Sequence, residues 1–393
     1  MTNKLTDLRF TNINNILKTA KLESSNLLFG LNNNSATENF FDKSESKSGE
    51  DNDTKKHLNK GDFKLKKVID NLNCSLQYLS SGGNGHTFKG VNEKKEILYA
   101  IKVVAYIKYN DFGSYNNLTR PENSELCMLK LLSYFVFKKM TPHILLPIMT
   151  FDTDIKQFVN LQKKGVVPEK NETYTKFVNN YKKNCYHKKV SVLVSEWANK
   201  GDLGAYLKIN YENLSLLQWK CLFFQIISVL ATIQNKYPSF RHNDLKANNI
   251  LVSDKNVPRR GMGYKINGVK YNVPSCGVNL FLWDFDFACI PGVVENLKLY
   301  QEWTNDMNIN TTINRYYDIH FLFCTLTFKA FLPKLFESLK VPIEVKNFIN
   351  HIIPPEYKAN TAFVNDKGRL IQNVEYITPA ILLTNSFFDT FRQ

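Results

Sequence analysis

The sequence predicts an α+β protein with a small β-rich half followed by a larger, mainly helical half. Between Phe63 and Trp197, several runs alternate apolar and polar residues or are rich in β-branched residues, which is typical of strands. From about Ala198 onward the spacing of apolar residues is mainly helical, and a loop-and-strand region interrupts it at 240–290. Because 43% of the 393 residues are hydrophobic, the chain can bury a sizeable core.

The elements follow in order. Residues 31–60 are rich in Asn, Ser and charge, so we expect the extension 1–60 to be largely disordered, although LTDLRFTNINNILKTAKL has loosely helical spacing. One domain is expected over 61–393, with its smaller lobe at about 61–197 and its larger lobe at about 198–393. The predicted strands are SLQYLSSGGNGHTFKG, EILYAIKVVAYI, ILLPIMTF and VSVLVSEW, and RPENSELCMLKLLSYFVF is a predicted helix.

Composition argues against several classes of protein. The seven cysteines include no CxxC pair, which indicates reduced thiols and neither a disulfide framework nor a zinc site. The start MTNKLTDLRF lacks the apolar core of a secretion signal, and polar residues interrupt the longest apolar segment, so we expect no membrane span. The net charge of +15 leaves nucleic-acid binding open as an added property, but no recognition motif of that class is present. The lysine-rich stretch 161–190 is interpreted as an exposed loop.

Two motifs in the β-rich half suit phosphate. In LSSGGNGHTFKG, Gly82, Gly83 and Gly85 let the backbone approach a bulky anion and offer it N–H donors, although glycine hairpins are common. Further on, YAIK places Lys102 in a strand with apolar neighbours. That lysine is suited to neutralise phosphate oxygens.

The strongest signal is FRHNDLKANNILV at 240–252, which resembles the protein-kinase catalytic loop HxDLKxxN. The resemblance implies that Asp244 accepts the proton of a hydroxyl group and that Lys246 neutralises the transferring phosphoryl group. It also implies that Asn249 ligates magnesium.

The stretch LFLWDFDFACI at 280–290 puts Asp284 and Asp286 one residue apart in an apolar run. In a strand both would point to one face, so a metal or a proton must be involved unless the stretch is not a plain strand. By resemblance this triplet corresponds to the kinase Asp-Phe-Gly, with Asp284 as the magnesium ligand. For Asp286, in the glycine position, we expect tolerance of a left-handed conformation and hydrogen bonds to local backbone amides, with a second metal contact as the alternative.

Further motifs fit the same resemblance. SSGGNGHTF matches the kinase glycine-rich loop, with Ser80 and Thr87 in place of the usual Gly and Val. Lys102 is then the phosphate lysine, and Glu125 is its expected partner, with Glu122 as the fallback.

The resemblance also assigns an adenosine site. VSVLVSEWANKGDLGAYL resembles the fifth strand and hinge, with backbone groups of Glu196 and Ala198 for adenine and Asp202 near the ribose. Leu251 closes the adenine pocket, and Ala100 of YAIK belongs to the same nucleotide site.

HNDLKANN, DFDFA and NRYYDIHFLF together resemble the poxvirus virion-assembly kinases and related serine/threonine kinases of large DNA viruses, over roughly 80–330. The resemblance implies a bilobal protein-kinase-like fold and the use of ATP and Mg²⁺. It implies phosphorylation of Ser or Thr in viral structural or assembly proteins, in the host cytoplasm or the virion. Asp318 is then the helix aspartate that bonds the catalytic-loop backbone.

The sequence also departs from the family pattern. Asn243 replaces the Arg that pairs with an activation-loop phosphate, so no such switch is expected, and no APE motif follows. An insertion at about 254–279 contains YKINGVKYNV, which predicts a hairpin turning at Asn267-Gly268. A catalytically inactive scaffold, supported by the altered glycine loop and Asp286, stays open as an alternative. So does a small-molecule kinase, which the missing APE favours and Lys246 disfavours.

Overall fold

The computed structural model describes residues 2–28, 57–82, 85–108, 110–329, 331–332 and 334–393. The chain forms two compact units, described separately below. We call them the sheet unit, Arg9–Tyr134 with Leu146–Trp197, and the helical unit, Met1–Leu8 with Phe135–Leu145 and Ala198–Gln393. The predicted mixture of strands and helices is confirmed.

Six strands of the sheet unit form one sheet in the order β1-β5-β6-β4-β3-β2. The strands are Gly61–Asp62 (β1), Ser75–Gly82 (β2), Gly85–Val91 (β3), Ile97–Ile107 (β4), Pro147–Asp154 (β5) and Tyr186–Glu196 (β6). The β1–β5 pair is parallel and the other neighbours are antiparallel. Central β6 has a buried apolar run at 190–194 with a single serine, as expected for a strand covered on both faces.

The described helices that lie wholly or mostly in this unit include Thr2–Ala20 (α1), Leu65–Asn71 (α2), Pro121–Phe137 (α3), Ile155–Val159 (α4) and Glu172–Lys182 (α5). Helix α1 corrects part of the expectation that 1–60 is largely disordered. Its apolar residues Ile13 and Leu17 are buried, and the Arg9 guanidinium binds the Glu196 carboxylate at 2.6 and 3.0 Å. These contacts give the helix a core to fold on, whereas residues 29–56 lie outside the described part of the chain.

A buried polar network around Lys60 holds four elements of the sheet unit together. Lys60 is only 3% exposed, and its ammonium lies 3.0 Å from a carboxylate oxygen of Asp152 on β5. It also donates to Tyr106 of β4, to Asn123 of α3 at 3.2 Å and to Ser191 of β6 at 2.9 Å. A buried cation of this kind is tolerated only because every donor direction has a partner.

The lysine-rich stretch 161–190 is more than an exposed loop, because it contains α5. Tyr174 and Phe177 of α5 pack their rings 5.1 and 5.2 Å from the ring of His86 on β3. Asn171 caps the helix and donates to the hydroxyl of Tyr78 on β2 at 2.6 Å. The apolar side of α5 therefore braces the β2–β3 hairpin, while most of the lysines of the stretch stay exposed.

The helical unit is built around the helix Leu216–Lys236 (α7). A capping box of Ser215 and Gln218 lies at the start of this helix. The helices of this unit are Leu203–Asn210 (α6), Leu216–Lys236 (α7), Glu302–Asn305 (α8), Tyr317–Leu326 (α9), Ile343–Ile352 (α10) and Pro379–Leu382 (α11). Helix α7 has the length and apolar composition of a membrane span, but 78% of its most apolar window is buried, as in a core helix.

Two antiparallel strand pairs complete this unit: Ile250–Ser253 (β7) with Asn279–Leu282 (β10), and Met262–Ile266 (β8) with Val269–Val273 (β9). The predicted hairpin in the insertion is confirmed, since Ile266 pairs with Val269 around Asn267 and Gly268. Both turn residues have positive φ, 49° and 83°, as a two-residue hairpin turn of this kind requires.

Lys60→Met is expected to lower the free energy of unfolding by about 3–5 kcal/mol, because it leaves the buried Asp152 carboxylate without its cation. Urea denaturation measures this. The matched control is Lys189→Met, which removes the more exposed pair with Asp62 and is expected to cost about 1 kcal/mol or less. Equal losses in the two variants would contradict the role given to the network.

Burial lowers the pKa of His86 from its usual 6.5 to about 4. The unfolded chain therefore binds more protons between these two values, and stability falls as the pH drops through that window. This histidine accounts for about 3 kcal/mol of the loss by pH 4. Melting curves between neutral pH and pH 4 should show a shallower loss for His86→Gln, and an unchanged slope would argue against a buried neutral imidazole.

Candidate active site

In the sheet unit, strand β4 and helix α3 bring Lys102 and Glu125 together. The ammonium donates to both carboxylate oxygens, at 2.7 and 2.9 Å, and both side chains are largely buried. Glu122, the alternative partner, instead binds the buried guanidinium of Arg120 at 3.2 Å. The lysine is thus fixed at a defined point of the sheet.

The glycine-rich hairpin of β2 and β3 is closed by the pairs Ser80–Thr87 and Gly82–Gly85. Gly83 lies outside the described residues. A side chain at Gly85 would place its Cβ 2.6 Å from the carbonyl oxygen of Val103, so glycine is needed for the close approach of β3 to β4.

In the helical unit, the catalytic-loop resemblance corresponds to a loop built around Asp244. The Lys246 ammonium and the Asn249 amide both donate to Asp244 Oδ2, at 2.9 and 3.0 Å. The Asn249 amide also donates to the Asp244 carbonyl at 2.8 Å. The carboxylate is therefore oriented by its own loop, with its side chain 13% exposed.

Asp318 at the start of α9 binds the backbone of the same loop. Its carboxylate accepts hydrogen bonds from the backbone N–H groups of His242 and Asn243, at 2.7 and 2.9 Å, as the resemblance implied. Asn243 has a φ of 63°, a left-handed conformation that asparagine tolerates. Burial raises the pKa of the Asp318 carboxyl, and the hydrogen bonds from the loop oppose that shift.

The pairing of β7 with β10 places Asn249 and Asp284 at the same end of this ladder. Ile250 lies opposite Leu282, and the next residues are joined by a 3.2 Å bond from the Trp283 N–H to the Asn249 carbonyl. An amide oxygen and a carboxylate are oxygen donors of the kind that Mg²⁺ takes alongside phosphates and water. Among the described residues no group of three or more His, Cys, Asp or Glu side chains is placed to hold a metal ion.

The 280–290 stretch is not a plain strand. Strand β10 ends at Leu282, Asp284 has the left-handed φ of 62°, and Phe285–Phe287 form a 3-10 helix. The left-handed residue is therefore Asp284, and the expectation of that conformation at Asp286 is wrong. An ordinary 3-10 conformation needs no glycine at this place.

Asp286 forms an ion pair with Lys298, whose ammonium lies 4.0 Å from the centre of the Phe287 ring. The bonds to local backbone amides that the sequence predicts for Asp286 stay a prediction. The Asp286 side chain is only 6% exposed, and a carboxylate so buried is best stabilised by an opposite charge. Asn296 adds a bond from its amide to the Asp286 carbonyl at 2.9 Å.

The residues expected around adenosine divide between the two units. In the helical unit, buried Ala198 clusters with Leu145 and Phe281, and Leu251 packs against them. Asp202 caps α6 by accepting from the Ala205 N–H at 2.8 Å.

In the sheet unit, Ala100 pairs with Ser195 in the β4–β6 ladder. The Glu196 carboxylate is engaged by Arg9 and by the Leu146 N–H, so only its backbone stays a candidate for ligand contact.

Two further arginines of the helical unit, Arg241 and Arg369, lie at the catalytic loop. The guanidinium carbon of Arg241 lies 3.7 Å from the centre of the Tyr317 ring, and its N–H groups donate to the Asn308 and Thr312 carbonyls. Arg369 donates to Asp244 itself at 2.5 Å. Arg241 adjoins the motif and could have been suspected, but Arg369 lies 125 positions after Asp244 and no local pattern marks it.

Comparisons with known proteins agree with this geometry. A family model described as protein tyrosine and serine/threonine kinase matches residues 169–260. A protein of Acanthamoeba polyphaga mimivirus named as a serine/threonine-protein kinase is 41% identical over 346 residues, which is 86% of this chain and 73% of that protein. A second mimivirus protein with a similar name is 31% identical over 132 residues, 33% of each chain.

A Dictyostelium discoideum protein, also named as a serine/threonine-protein kinase, is 35% identical over 82 residues, 20% of this chain and 7% of that protein. The mimivirus similarity extends over most of both chains, and the residues matched by the family model include the loop that holds Asp244. The chain therefore belongs to the protein kinases, as a serine/threonine kinase related to those of large DNA viruses.

Proposed function

We propose that this kinase is catalytically active and transfers the γ-phosphate of ATP to Ser or Thr hydroxyls of viral structural or assembly proteins. The observation that carries the proposal is the Asp244 carboxylate, oriented by Lys246 and Asn249 within a loop that Asp318 anchors. A scaffold without activity has no need of this arrangement. Host cytoplasm or the virus particle is the proposed location, which rests on the family resemblance alone.

Each residue has a separate task in the transfer. Asp244 accepts the proton of the substrate hydroxyl. The hydroxyl oxygen forms a bond to the γ-phosphorus while the bond between that phosphorus and the ADP oxygen breaks. The Lys246 side chain is 33% exposed, so its ammonium can neutralise charge on the transferring phosphoryl group while the lysine stays close to Asp244. Lys102, oriented by Glu125, neutralises nucleotide phosphates.

Asn249 and Asp284 are the residues that would hold Mg²⁺, which when bound neutralises charge on the phosphate oxygens. Their place at one end of the β7–β10 ladder supports this assignment. Ser80, Gly82, Gly85 and Thr87 line the hairpin proposed to cover the phosphates. Ala100, Glu196, Ala198, Asp202 and Leu251 are proposed to contact the adenosine moiety.

The test is phosphate transfer from labelled ATP with Mg²⁺ to the protein itself and to generic basic and acidic proteins. Asp244→Asn is expected to lower kcat by about 10²–10⁴-fold, because it removes the proton acceptor. The control is Asp389→Asn, which neutralises an exposed aspartate paired with Arg392 and should leave kcat unchanged.

Other outcomes separate the alternatives. Bound ATP without transfer by the wild type would favour the inactive scaffold. Transfer to a metabolite and none to protein would favour the small-molecule kinase.

The ion pair of Asp286 with Lys298 is expected to order the segment 286–300. Asp286→Gly, which restores the usual kinase triplet, and Asp286→Asn, which keeps the side-chain shape, both leave Lys298 without this partner. Both should speed amide hydrogen exchange in 286–300 and leave exchange in the β4–β6 ladder unchanged. A faster exchange in the glycine variant alone would assign the effect to backbone freedom and not to the ion pair.

A further inference from the structure

A buried arginine far along the chain binds the proposed proton acceptor. Arg369 is 6% exposed, and its guanidinium donates to Asp244 Oδ1 at 2.5 Å. It also donates to the Asn243 carbonyl at 2.5 Å and to the Tyr317 hydroxyl at 3.1 Å. The guanidinium carbon lies 4.0 Å from the centre of the Phe321 ring, within the range of a cation–π contact.

The backbone that carries Arg369 is itself fixed. Residues 365–369 form a tight turn in which the Asn365 side chain accepts from the Lys367 and Arg369 N–H groups. Gly368 in this turn has a φ of 78°, and a Cβ there would lie 2.8 Å from the Phe328 ring. Asn308 ties the following residue to the helical unit by donating to the Leu370 carbonyl at 2.6 Å. Arg369 therefore reaches Asp244 from a rigid support.

The distribution of donors on Asp244 leaves room for a substrate. Oδ2 receives the donors from Lys246 and Asn249, so both of its lone-pair directions are used. Among the described residues, Oδ1 receives a side-chain donor from Arg369 alone, which leaves one lone-pair direction open. A hydroxyl group could bond there while the arginine stays in place.

We propose that Arg369 is a positioning residue that fixes the Asp244 carboxylate plane, so that the open lone pair of Oδ1 receives the proton of the substrate hydroxyl. This inference rests on the proposed function and adds a residue that the catalytic-loop motif does not contain. Three side chains hold the carboxylate: Lys246 and Asn249 from its own loop, and Arg369 from the turn at 365–369. Because Arg369 is buried beside Asn243 and Tyr317, it acts through Asp244 and does not itself touch the substrate.

The experiment measures kcat and KM in the full-length chain for Arg369→Ala and Arg369→Lys. The alanine variant should lower kcat by about 10- to 100-fold, because misplacing a reacting group by about 1 Å costs up to about 10²-fold. Its KM for ATP should stay within about twofold, since the residue acts on the carboxylate and not on the nucleotide. The lysine variant keeps one charged donor and should recover part of kcat.

Chemical rescue separates positioning from a general structural role. Millimolar guanidinium should restore part of kcat to Arg369→Ala and none to the double variant with Asp244→Asn, because its effect requires the carboxylate. The matched control is Arg315→Ala, which breaks the more exposed ion pair with Glu375 and should leave kcat unchanged. Melting temperatures show whether each variant is folded.

Three results would overturn the inference: a kcat of both Arg369 variants within about twofold of wild type, a raised kcat, or a loss that only follows the unfolded fraction. A raised kcat would identify the contact as an inhibitory one. An inactive wild type would overturn the proposed function together with this inference. An active wild type with unaffected Arg369 variants would overturn this inference alone.

Discussion

The buried carboxylate of Asp318 is the constraint on which the catalytic loop depends. It accepts two backbone N–H groups from a turn that contains the left-handed Asn243, so the turn is held without any regular secondary structure of its own. The same helix, α9, presents Tyr317 to the guanidinium groups of Arg241 and Arg369. The first turn of this helix thus positions both the loop backbone and the cations around it. A shift of α9 would be felt directly at Asp244.

The sheet unit has a comparable dependence on one buried group. Lys60 binds Asn123, which lies two residues before Glu125 on α3, and also binds Asp152 on β5. The network therefore fixes the register of α3 against the sheet, and that register decides that Glu125 faces Lys102. At the edge of the sheet formed by β3 and β2, helix α5 packs against His86 and so supports the glycine-rich hairpin. The motifs proposed to bind phosphate are thus carried by elements that buried contacts hold in place.

Much of this could be predicted from the sequence because the signals are local. The strands, α3 and the Asn267-Gly268 hairpin follow from periodicity and turn chemistry, and the anchoring role of Asp318 follows from the family resemblance. The ion pair of Asp286 with Lys298 could not be predicted, because residue types twelve positions apart in an irregular segment do not encode a contact. Helix α1 was underestimated for a related reason. Its stability comes from tertiary contacts such as Arg9 with Glu196, which weak helical spacing alone does not reveal.

The cations around the segment after Asp284 have partners within the chain itself. In a phosphorylation switch, an arginine becomes paired only when a phosphate group is added to the activation loop. Here the corresponding Asn243 offers a neutral amide, which binds the Phe287 and Asn310 carbonyls at 3.0 and 3.1 Å. Arg241 donates to the Asn308 and Thr312 carbonyls, and Lys298 pairs with Asp286. Because these cations are already partnered within the chain, a phosphate would have to displace a native contact before it could bind them.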